Sequence, residues 1–81
     1  MAMRTAREAT ERTIRLAELH VAQQEARVEQ QKRLIATLEA DGHTELANTA
    51  YQLLTEMTIL LARMRDGLAH AEARLMAREG R

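Results

Sequence analysis

The sequence predicts an all-α antiparallel hairpin, coiled-coil-like, that dimerises into a four-helix bundle. Three observations lead there. Gly42, one of three glycines, sits at the middle of 81 residues that contain no proline. Long segments with helical apolar spacing lie on either side of it. Ala, Leu, Glu, Arg, Gln and Met dominate, and Tyr51 is the single aromatic residue. Strong helix formers with few bulky rings suit thin helix–helix seams better than a thick globular core.

The first element is expected over about residues 6–40. Thr5-Ala6-Arg7-Glu8 has the form of a capping box and marks its start. Ile14, Val21, Val28 and Ile35 recur every seventh residue, with Ala17, Gln24, Gln31 and Leu38 between them. A sustained heptad of this kind is a coiled-coil seam. Gln24 and Gln31 are then expected opposite Leu60 and Leu53. A buried amide left unpaired costs about 1–3 kcal/mol, so these layers need partners, which a second chain would supply. A polar layer of this sort sets register and partner number, although helix-favouring glutamines at the edge of a solvated seam account for the pattern equally well.

The corner is expected at residues 41–44. Asp41 and Gly42 form a helix stop, because glycine reaches the left-handed conformation without a Cβ clash. Thr44 is placed to cap the next helix. A link this short makes the two helices antiparallel neighbours. Glu45, just inside the second helix, suits the positive end of its dipole.

The second helix is expected over about 45–78, and all 81 residues form one domain. Two apolar rows run along it. Leu46, Ala50, Leu53, Met57, Leu60 and Met64 alternate at fours and threes, and Leu54, Leu61, Leu68 and Leu75 repeat at sevens. Met57 and Met64 are read as core fillers rather than soft-metal ligands. Folding at Gly42 sets Val28 near Met57, Val21 near Met64, and Ala17 near Gly67 as a small-on-small layer. One partner helix cannot cover both rows, and short scaffolds often solve this by oligomerising. The expected self- or partner interface is therefore Ile14, Val21, Val28 and Ile35 with Leu54, Met57, Leu61, Met64, Leu68 and Leu75.

Charge supports a pairing direction. Net charge is zero, yet residues 1–15 with 63–81 carry nine arginines against five acids. The half nearer the corner carries three basic residues against seven acids. The halves are thus +4 and −4, which favours two hairpins with their corners at opposite ends.

Little in the chain points to chemistry. No cysteine is present, which rules out disulfides and thiolate metal sites and fits a cytoplasmic protein. The start of the chain carries no apolar signal-peptide core, and no run of about 18 apolar residues spans a membrane. His20, His43 and His70 lack the Glu-x-x-His spacing of di-metal bundles, and Val21-Ala22-Gln23 after His20 lacks the acid expected beside a phosphoacceptor histidine. No nucleophile–base set or glycine-rich loop is found. The reading is non-enzymatic, with no catalytic residue, metal or cofactor: an adaptor or regulator that binds another protein or itself. The alternative is nucleic-acid binding by the arginine-rich open end, through Arg4, Arg7, Arg12, Arg15, Arg74 and Arg78. Phosphate contacts need only charge and reach, but interleaved acids and missing aromatics weigh against it. Exposed i,i+4 pairs such as Glu8–Arg12 and Glu11–Arg15 are the plainer account of that end.

The run Gln31–Thr44, with Ala47, Ala50, Leu53, Leu54, Leu60 and Met64, resembles a family of short uncharacterised helical proteins of alphaproteobacteria. Their shared corner is roughly L-I-x-x-L-E-x-D-G-H-x-T; here Thr44 follows His43 directly. The resemblance covers about half the chain, implies a cytoplasmic bacterial helical hairpin and supplies no catalytic residues. In shape alone the chain also resembles the ROP-type RNA-binding dimer of hairpins, and shape does not carry function.

Overall fold

Two long helices fold back on one another across a three-residue turn. The structure, a computed structural model, describes residues 2–79, with side chains from residue 6. Helix α1 spans Ala2–Ala40 and helix α2 spans Thr44–Glu79. Together they make a rod of 61 × 15 × 14 Å. No helix among the described residues is long and apolar enough to cross a membrane.

The corner is a backbone device. The His43 N–H donates to the Leu38 carbonyl at 2.9 Å, and the Gly42 N–H donates to Glu39 at 3.1 Å. Gly42 sits at φ 77°. This is the Schellman arrangement, in which the left-handed residue lets two late carbonyls of α1 find donors. The Ala47 N–H then donates to the His43 carbonyl at 2.9 Å. His43 is therefore the capping position of α2, and Thr44 is its first helical residue. The cap therefore falls one residue before the expected Thr44, because His43 serves both helices: its N–H closes the Schellman turn and its carbonyl accepts the first bond of α2.

Helix α1 begins at Ala2, four residues before its expected start, and runs through Thr5. Nothing in Ala2-Met3-Arg4 breaks a helix, so the capping-box spelling has no terminus to mark. Threonines inside both helices satisfy their hydroxyls locally. Thr10, Thr13, Thr37, Thr49 and Thr55 each donate to the carbonyl four residues back.

Burial defines the seam. On α1 it is Ile14, Val21, Val28 and Ile35, alternating with Ala17, Gln24, Gln31 and Leu38. On α2 it is Ala47, Ala50, Leu54, Met57, Leu61, Met64, Leu68, Ala71 and Leu75. Both run at threes and fours without interruption, the signature of knobs-into-holes packing. Val21, Val28 and Leu61 form its centre, with Leu54, Met57, Met64 and Leu68 packed around them.

The α2 seam corrects the sequence reading. Leu46, Leu53 and Leu60 were expected inside and are about half exposed, while the Leu54–Leu61–Leu68–Leu75 row turns inward. The row of Leu46, Leu53 and Leu60 ends at Gly67 and Arg74, whereas the inner row stays leucine to the open end. A seam that must run the full rod takes the continuous row.

The glutamines are corrected as well. Gln24 and Gln31 are only 5% and 9% exposed. The Gln24 amide donates to the Met57 carbonyl at 3.1 Å, and that of Gln31 to the Ala50 carbonyl at 2.9 Å. Their partners are backbone carbonyls of the same chain, not Leu60 and Leu53 or a second chain. The carbonyls are seven residues apart, as the glutamines are, so the two bonds pin one register. Among the described residues no buried side-chain polar atom lacks a partner.

Candidate interaction face

The seam has two flanks, and these are the two faces of the hairpin. On the first, long polar side chains reach across. Arg65 donates to Glu25 at 2.9 Å, and the Tyr51 hydroxyl donates to Glu39 at 3.3 Å. Lys32 and Thr58 lie between these pairs over Val28 and Ile35. The Glu39 carboxylate, together with partial desolvation, raises the Tyr51 phenol above its ordinary value, because a second negative charge beside the carboxylate is disfavoured.

The second face is largely apolar toward the corner, interrupted on α1 by the exposed Arg27, seven residues before Leu34 on the same flank. Leu34 on α1 and Leu46, Leu53 and Leu60 on α2 occupy its flanking positions and are 47–58% exposed. The heptad places Gln24 and Gln31 on the side of the seam beneath these leucines. Toward the open end the face falls into an apolar groove of about 350 Å³. Ile14, Ala17, Met64, Leu68 and Ala71 form its floor, with Thr13, His20 and Gly67 at its margins. A Cβ built at Gly67 meets nothing within 4 Å. The expected close Ala17–Gly67 layer is therefore absent, and both residues border open space. Leu16, Leu19, Ile59 and Met76 are exposed elsewhere, and single exposed apolar residues are ordinary.

The interface residues expected from the sequence are thus inside the hairpin. Ile14, Val21, Val28, Ile35 and Leu61 are buried by the two helices, and Leu54, Met57, Met64, Leu68 and Leu75 are partly covered there. The leucines left uncovered on the second face are those the periodicity had assigned to the inner seam, together with Leu34. One signal in the sequence marks them: their row stops at Gly67.

The described arginines of the open end do not converge. Arg7 donates to Glu79 at 2.7 Å and to Glu11 at 3.2 Å, which closes the end of the seam with a polar layer. These two carboxylates, Glu11 foremost, raise its guanidinium pKa further. Glu11 thus pairs with Arg7 and not with Arg15, and Arg12 forms no ion pair among the described residues. Arg12 and Arg15 lie on the outer surface of α1, Arg74 lies on the leucine-face side of α2, and Arg78 borders a groove with Ala6, Thr10 and Leu75. The Arg4 side chain lies outside the described residues.

The histidines are also separate. The His70 ring is 2.8 Å from its own helix's Asp66 carbonyl, His20 borders the groove, and His43 caps α2. Among the described residues no three His, Asp or Glu side chains gather where they would hold a metal ion. No family model matches the chain, and no curated protein sequence or solved structure matches it.

Proposed function

We propose that the chain is a small non-enzymatic protein-interaction module, an adaptor or regulator of the cytoplasm. It acts as a homodimer in which two hairpins pack leucine face to leucine face as a four-helix bundle. The observation that carries this is the half-exposed set Leu34, Leu46, Leu53 and Leu60 beside a fully satisfied seam. Covering a half-exposed leucine contributes about 1 kcal/mol. Eight such leucines in a dimer contribute on the order of 8 kcal/mol before the entropy of association. The polar face offers no comparable term, because exposed ion pairs contribute about 0–1 kcal/mol.

Light scattering across a concentration series tests the reading. The expected mass is twice that of the 9.2 kDa chain, approached as concentration rises. A mass of one chain at every concentration would sink it. Nucleic-acid binding gains no support among the described residues, since Arg7 is neutralised by two acids and Arg12, Arg15, Arg74 and Arg78 lie on different faces.

A further inference from the structure

We infer that the two copies pair end for end, the leucine ridge of each seated in the apolar groove beside Gly67 of the other. The inference rests on the homodimer reading and specifies its geometry. It begins from Gly67, which lies in the interior of a 36-residue helix. Glycine there weakens a helix relative to alanine. Nothing within the hairpin requires it, because a Cβ at this position meets open space. Space left on the outside of a packed seam has a use only if something approaches from outside.

The second copy has a matching shape at the matching height. At 1.5 Å per residue, Leu53 and Leu60 lie about 15–25 Å from the corner, and the groove at Ala17 and Gly67 lies about 36 Å from it. The mid-ridge and groove heights together come to about 56 Å, close to the 61 Å length of the rod. Turning one copy end for end therefore brings ridge over groove, and the two-fold axis repeats the contact. Ile14, Met64 and Leu68 on the groove floor give the ridge an apolar seat. Charge agrees: this direction sets the +4 half of each copy beside the −4 half of the other. A corner-to-corner pair would stack ridge on ridge, join the two acidic halves and leave the groove open.

Two measurements test the arrangement. Sedimentation equilibrium compares the wild-type dimer with Gly67→Met, a change that favours the helix and fills the groove mouth. Dissociation is expected to rise on the order of 10- to 100-fold, the scale of overpacking, with helix content retained. A Gly67→Met dimer as tight as wild type would overturn the seating. The chain has no cysteine, so a spin label at Asn48→Cys reports on one site per copy. End-for-end pairing expects a separation of about 40 Å from the helix rise. A separation of roughly 20 Å, the width of a bundle, would mean corner-to-corner pairing and overturn the inference while leaving the homodimer standing. A wild-type monomer would remove both.

Discussion

The two faces of this hairpin flank the same seam and meet water in opposite ways. On the Glu25–Arg65 face, long side chains cross from helix to helix and finish their hydrogen bonds within the chain. On the Leu34–Leu60 face, the seam is closed from beneath by Gln24 and Gln31, and the flanking positions are leucine apart from Arg27 on α1. The polar face makes small, screened contributions to folding. The leucine face contributes little to the hairpin itself and leaves apolar surface uncovered. In the proposed dimer, assembly and folding are carried by different residues, which makes them separable by mutation.

The largest expected effect breaks the support beneath the leucine face. Gln31→Glu would set a carboxylate against the Ala50 carbonyl in place of an amide donor. An unpaired buried charge costs about 3–5 kcal/mol, enough to unfold a thin hairpin at neutral pH. Burial raises the carboxyl pKa, so this penalty is absent below about 4.3 and grows as pH rises through the raised value. Circular dichroism should show helix at acidic pH and its loss at neutrality. Retained helix at neutral pH would mean that the amide is dispensable.

Next in size is the leucine face itself. Leu53→Glu combined with Leu60→Glu should leave a helical chain whose scattering mass is that of one copy, 9.2 kDa. A dimer of undiminished affinity would place the interface elsewhere. The matching change on the polar face, Arg65→Ala, removes an ion pair whose partners are both about half exposed. It should lower stability by less than about 1 kcal/mol in urea titration and leave the mass unchanged. An equal loss of dimer from both changes would erase the contrast between the faces.

The smallest effect is local. Tyr51 is the only tyrosine, and no tryptophan is present, so near-ultraviolet absorbance follows its phenol alone. Its pKa is raised first by Glu39. A raised value means that this contact's contribution is whole below the ordinary value of about 10 and is lost as pH climbs through the folded value. Glu39→Gln should return the titration toward about 10. An unmoved midpoint would show that the carboxylate is not the cause.

The hairpin was legible in residues whose local rule and global role agree. Gly42 is a helix stop by its own backbone freedom and also lies between two arms of nearly equal length. Ile14, Val21, Val28 and Ile35 form a narrow stripe with only one way to face a partner. The α2 face was not legible in the same way, because its two apolar rows are adjacent and spacing alone does not rank the residues in them. Gln24 and Gln31 could be flagged as needing partners, but a carbonyl on another helix leaves no mark in the one-dimensional pattern.

By itself the sequence determined that there are two helices, where they turn, and which stripe of α1 is buried, since these follow from backbone freedom and heptad spacing. Only the tertiary structure decided how α2 is rotated about its axis. That rotation depends on three long-range conditions met together. The Schellman turn sets the starting angle, the two amide–carbonyl bonds pin the register, and an inner row must stay apolar to the open end. Its consequence is the choice between two sets of leucines: Leu54, Leu61, Leu68 and Leu75 hold the hairpin, and Leu46, Leu53 and Leu60 are left facing water.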